Sequence, residues 1–127
     1  MSKIIYLTDA SIIVCVVPNS GDRAEKMLLA AREAGANASY GFNARGYGAR
    51  ERLGALSVAV ETEKHVFNVL VSSEQLEIVF EAMYRAGELD QPGAGWMYVT
   101  PVEKLATFVP ESIAQKAKNL AASRREQ

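Results

Sequence analysis

Ile12-Ile13-Val14-Cys15-Val16-Val17 is an unbroken apolar run, mostly β-branched, that stops at Pro18. It is too short for a core helix. β-Branched side chains suit a pleated surface, so it reads as a buried central strand. Pro18-Asn19-Ser20-Gly21-Asp22 then supplies turn and cap chemistry. A helix is expected over Asp22 to Ala34. Ala24, Met27, Leu28 and Ala31 fall at i, i+3, i+4 and i+7, one face of a helix, and Gly35 is the natural stop. A strand at about Ala38 to Asn43 completes a βαβ unit.

The same order recurs further along. His65 to Val71 reads as a strand, and Ser72 with Gln75 has capping-box spacing. Leu76, Val79, Phe80 and Met83 repeat the helical face, Ala86-Gly87 ends it, and Trp96 to Thr100 is a last strand before Pro101. Two βαβ units with right-handed crossovers place both helices on one face of an antiparallel sheet, an α+β architecture. The outward residues of these strands are not strongly polar, so self-association is expected to cover the open face.

The chain has 127 residues, enough for a single domain spanning 1–127. Hydrophobic content of 49% with 23% charged residues supports a packed core, and a formal net charge of −1 argues against nucleic acid as a partner. The one cysteine, Cys15, lies within the first strand and reads as a small core residue. An intrachain disulfide is excluded, and a reducing, cytoplasmic setting is expected. No apolar run has the length of a membrane span, and the first residues do not read as a signal peptide. Past Pro110 the segment 111–127 looks helical, with Ile113, Ala117, Leu120 and Ala121 as a thin apolar stripe.

Between the units, Ala44 to Lys64 opens with Ala44-Arg45-Gly46-Tyr47-Gly48-Ala49-Arg50-Glu51-Arg52, polar and without periodicity. Long irregular loops inside small domains are usually functional. No catalytic constellation accompanies it: the sequence has no H-E-x-x-H, no C-x-x-C and no Walker A pattern. His65 is the only histidine, so no metal site and no enzymatic activity are expected.

Gly41-Phe42 before the loop, Gly87-Glu88-Leu89 with Pro92-Gly93-Ala94-Gly95 after the second helix, and Tyr98-Val99-Thr100-Pro101-Val102-Glu103 in the last strand carry a resemblance. Over about Ile12 to Thr107 the chain resembles the P-II-like nitrogen regulatory proteins. The resemblance implies a ferredoxin-like fold, a homotrimer, and adenine nucleotides bound in clefts between subunits. It also implies a T-loop, here 44–64, that docks on a target transporter or metabolic enzyme, membrane proteins included. No cofactor is obligatory; ATP, ADP, AMP or another small anionic effector is expected.

By position, Gly93 and Gly95 correspond to the glycines of the family's phosphate-binding turn, where backbone N–H groups can form an anion nest. Arg45 and Gly46 fall at the base of the T-loop, Phe42 just before it, and Lys64 reaches toward the same cleft. Trp96 either stacks on an adenine ring or packs as a strand-start residue. Tyr47, Arg50 and Arg52 are the partner-facing candidates, although a solvated loop explains the arginines as well. The chain departs from the family where a lysine usually follows the Gly-x-Gly, since Trp96 stands there. Thr107 and Val109 stand where the family has a pair of arginines. Three charge-assisted contacts to a polyphosphate are thereby lost. Two alternatives to a nucleotide sensor follow: a bicarbonate- or metabolite-binding trimer, and a metal-handling trimer of the CutA type.

Overall fold

The computed structural model describes residues 4–36, 38–46, 52–53, 58–59, 62–108 and 110–112. The elements run β1 (Tyr6–Leu7), β2 (Ala10–Pro18), α1 (Arg23–Glu33), β3 (Ala38–Gly46), β4 (Arg52–Leu53), β5 (Val58–Ala59), β6 (Thr62–Ser72), α2 (Leu76–Ala86), β7 (Trp96–Pro101) and β8 (Leu105–Ala106). The main sheet has the order β3-β6-β2-β7, and every pairing in it is antiparallel. This is the double βαβ, ferredoxin-like arrangement expected from the repeated strand–helix–strand order.

The apolar run around Cys15 forms the central strand because it can bury both faces. Ile13, Cys15 and Val17 are fully buried toward the helices, and Val14 on the opposite face is nearly so. Opposite them on β6, Phe67 faces Cys15 and Val69 faces Ile13. Met27 and Ala31 of α1 and Val79 and Met83 of α2 close the core, with Ala24, Leu28, Leu76 and Phe80 packed at its margin. Both helical stripes read from the sequence are therefore the core-facing stripes.

The repeats are tied to each other by Gln75. Its Nε2 donates to the Gly35 carbonyl at 3.1 Å, while its Oε1 accepts from the Ser72 backbone N–H at 3.3 Å. The second contact is half of a capping box. The other half is missing because 73–75 form a turn and α2 begins only at Leu76. At the far end of α2, Gly87 is a matter of space. A Cβ there would lie 2.5 Å from the Met27 Sδ, and the left-handed residue is the next one, Glu88, at φ 52°.

The interior segment differs from its reading as irregular chain from Ala44 to Lys64. The β3–β6 ladder continues through Ala44↔Lys64 and Arg45↔Glu63 to Gly46↔Thr62, and further out Arg52↔Ala59 and Leu53↔Val58 pair. A Lys64 stem beside Gly46 and an Arg45–Glu63 ion pair let the polar stem hold strand geometry. The sequence also gave no sign of β1 and β8, which pair through Tyr6↔Ala106 and Leu7↔Leu105. Lys104 sits over the Tyr6 ring at 5.1 Å. The helix expected over 111–127 lies outside the described residues beyond its first turn at Glu111–Ser112.

Candidate functional site

The Gly93-Ala94-Gly95 turn is the entry into β7, and its shape follows from packing against β2. Gly93 has φ 76° and Gly95 has φ 123°, both left-handed. A Cβ on Gly95 would stand 2.3 Å from the Val16 carbonyl oxygen, so only glycine lets the turn lie this close to the central strand. Ala94 between them is buried. Its amide donates to the Gln91 carbonyl at 3.2 Å, and its own carbonyl accepts from Arg23 Nη1 at 3.3 Å.

Arg23 was not singled out in the sequence, because at the first position of α1 it looks like an ordinary solvated helix residue. The fold brings it across 71 residues to the turn. Its side chain is part-buried, and Ala94 is its one hydrogen-bond partner among the described residues. A guanidinium has five N–H donors in a planar fork, so most of its donor capacity remains for an anion at the turn. The signal available in the sequence was slight: a cation at a helix start directly after the strand that neighbours the glycine turn.

Trp96 begins β7, opposite Val16; Val16 faces Val66, and Val66 faces Phe42. Directly opposed residues share a face, so Phe42, Val66, Val16 and Trp96 form one row across the side of the sheet away from the helices. Phe42 and Trp96 are 50% and 48% exposed. They stand on opposite edge strands, three strand spacings or about 14 Å apart. Within one chain they cannot grip a common ligand.

The remaining positions divide the same way. Arg45, Gly46 and Lys64 cluster on the β3–β6 stem. Arg45 reaches Glu63 at 3.9 Å, and Asn19 Nδ2 donates to the same carboxylate at 3.2 Å. Lys64 is buried to 8% exposure and engaged in an interaction of its own. Its place on β6, opposite Pro18 of β2, keeps it two strands from the line of β7. Gly93, Gly95, Trp96 and Arg23 gather at the other edge. Tyr47 and Arg50 lie outside the described residues, and Arg52 is in β4.

Other chemistry is sparse among the described residues. No three His, Cys, Asp or Glu side chains converge as a metal-binding group. His65 Nδ1 is 3.1 Å from Asn43 Oδ1, and the ring packs 5.7 Å from Phe67. Burial pushes the Cys15 thiol up to about 12, so it is not a nucleophile at neutral pH. An open cleft of about 360 Å³ lies by Asp9, Ser73 and Glu103, at the end of the sheet opposite the glycine turn, and contains none of the residues above. No helix among the described residues is long and apolar enough to cross a membrane.

No protein-family model matches the sequence, and no curated protein matches it. Solved structures do match the fold. A Bacillus subtilis GlnK–ATP complex aligns at TM-score 0.60 and 19% identity, over 74% of this chain and 82% of that one. Arabidopsis thaliana PII bound to citrate aligns at TM-score 0.55 and 19% identity, over 76% and 79%. A Bacillus cereus protein related to NIF3 aligns at TM-score 0.58 and 16% identity, over 81% of this chain but 28% of that one. Strand order, the two helices on one sheet face and these likenesses together establish that the chain has the ferredoxin-like fold of the PII proteins.

Proposed function

We propose that the chain is the subunit of a non-catalytic, P-II-like signalling homotrimer. It binds an adenine nucleotide or another small anion in clefts between subunits, and it acts on a target protein through the segment 44–64. The observation that carries this reading is the division of the candidate ligand residues between two opposite edges. Phe42, Arg45, Gly46 and Lys64 lie toward β3, while Gly93, Gly95 and Trp96 lie on or beside β7. A site using both groups needs the β3 edge of one subunit against the β7 edge of the next. The exposed aromatics Tyr40, Phe42, Trp96 and Tyr98, on the two edge strands of the same sheet face, supply surface for that contact. Ligand binding at such a junction affects the β3–β6 stem directly, so a ligand with unequal affinity for two stem conformations shifts the segment beyond it.

A second reading, a small carboxylate or bicarbonate as effector, is favoured by the residues at the turn. Trp96 stands in place of a cation, which leaves Arg23 as the guanidinium held on the turn. One guanidinium matches a carboxylate bidentately more readily than it balances a triphosphate. The likeness to a GlnK–ATP complex and to a citrate-bound PII is consistent with either ligand.

Calorimetric titration of the full chain with ATP, ADP, AMP, bicarbonate and citrate tests both readings, with sedimentation equilibrium run in parallel. Saturable heat at one site per subunit in a trimer is expected for a ligand of one class. A monomer that binds none of them overturns the proposal.

A further inference from the structure

The ribbon of β1 and β8 has two unlike faces. Leu7 and Leu105, paired with each other, are half-buried, while Tyr6 and Ala106, the neighbouring pair, are exposed. Ile4 and Phe108 continue the alternation past the paired residues and are 63% and 87% exposed, against 41% for Tyr6. Together they make an outward apolar patch at the edge of the molecule, and Phe108 is the most exposed large hydrophobic residue among those described. Lys104 lies over the Tyr6 ring at 5.1 Å. It marks the end of the patch nearest the cleft by Asp9, Ser73 and Glu103.

The chain carries a matching surface in its own next segment. Only Val109 and Pro110 separate Phe108 from Glu111, where a helix begins. Ile113, Ala117, Leu120 and Ala121 fall at i, i+4, i+7 and i+8, one apolar stripe of a helix. A helix this short is stabilised by packing such a stripe more than by propensity. With so short a connection, the apolar surface in reach is the ribbon the chain has just left. The lengths agree: Ile113 to Ala121 spans about 12 Å of helix, and Phe108 to Lys104 about 13 Å of strand. The charges agree as well. A helix running back along β8 brings Arg124, Arg125 and Glu126 to the end that holds Asp9, Glu103 and Lys104, two cations and one anion against two anions and one cation.

We infer that the β1–β8 ribbon is the docking surface of the chain's own segment 111–127, which seats its apolar stripe on Tyr6, Ala106 and Phe108 and brings Arg124 and Arg125 to the cleft beside Asp9 and Glu103. The cleft is then an intramolecular docking site and not an effector pocket. The contact lies within one subunit, so it stands apart from the subunit assembly described under Proposed function.

The test uses cysteine pairs in the full chain, where the native Cys15 is buried and does not interfere. Ala106→Cys with Ala117→Cys is expected to oxidise to a disulfide within one chain, read by the mass and migration of the denatured, unreduced protein. Ala106→Cys with Gln115→Cys places the second thiol on the opposite side of the helix and is expected to oxidise about tenfold more slowly. Equal rates for the two pairs overturn the inference. A disulfide formed only between chains also overturns it and assigns the patch to a second copy. Where neither pair oxidises, hydrogen exchange decides. Leu120→Asp is expected to speed exchange at Tyr6, Leu7, Leu105 and Ala106 about fivefold or more while leaving the β2–β6 amides unchanged. Unchanged exchange in the ribbon overturns the inference.

Discussion

Arg23 Nη1 donates to the carbonyl oxygen of Ala94 at 3.3 Å, joining the first turn of one helix to the glycine turn that opens the last long strand. The two positions belong to different βαβ units, so the contact depends on the completed sheet. Arg23→Gln is expected to weaken binding of the effector anion about tenfold, the scale of one lost charge-assisted bond. Because the contact is part-exposed, the cost in folding stability is expected to stay near about 1 kcal/mol. Titration calorimetry and urea unfolding on the same preparations separate the two effects. Arg23→Lys should recover part of the affinity but not the bidentate geometry.

The two turn glycines should fail differently. Gly95→Ala sets a methyl group against the Val16 carbonyl at 2.3 Å, where backbone cannot yield. A loss above about 3 kcal/mol is expected, with β7 detached first and early hydrogen exchange at Trp96 to Tyr98. Gly93→Ala places a side chain at a left-handed φ of 76°, a strain that should cost about 1 kcal/mol. It should therefore fold, and it isolates the contribution of the turn backbone to anion binding.

Gly87 and Met27 form a packing pair across the helices. Gly87→Ala places a Cβ 2.5 Å from the Met27 sulfur, and Met27 is fully buried with little room to swing away. Urea unfolding should register a loss of about 1–3 kcal/mol. Met27→Ala alone leaves a cavity, and the double variant should lose less than the two singles summed, since the new methyl occupies part of that space.

Cys15 should be silent to thiol reagents while the protein is folded. Burial raises its pKa from 9.0 to about 12, which lowers the thiolate fraction near neutral pH about a thousandfold. The folded pKa lies above the unfolded one, so the associated stability is full below pH 9.0 and declines as pH rises toward about 12. Iodoacetamide at pH 8 should label the chain only on unfolding in urea. Rapid labelling of the native chain would contradict the burial.

The scaffold was legible in the sequence because it rests on local periodicities. Ile12 to Val17 declares a buried strand by its unbroken apolar run, and Met27 and Ala31 declare a buried helical face by their spacing, as do Val79 and Met83 in the second unit. What was not legible depends on long-range register. The stem extension to Gly46↔Thr62 is stabilised by cross-strand pairs such as Arg45–Glu63, which polar composition disguises as loop. Gly93 and Gly95 were visible as a turn, yet the need for Gly95 comes from Val16, a residue of the other unit. Arg23 was missed for the same reason. Its partner Ala94 is distant in sequence, and no helical or strand period links them.

The placement of Phe42 and Trp96 on opposite edges has a genetic consequence. In the proposed trimer, each cleft is built from unlike halves of two chains, so a lesion in either half silences the cleft without damaging the other half. Two inactive alleles, one carrying a defect on the β3 edge and one on the β7 edge, should restore function when expressed together. Wherever the intact edge of one product meets the intact edge of the other, one complete cleft is rebuilt, while the reverse junction combines both defects. A β3-edge allele paired with another β3-edge allele should restore nothing.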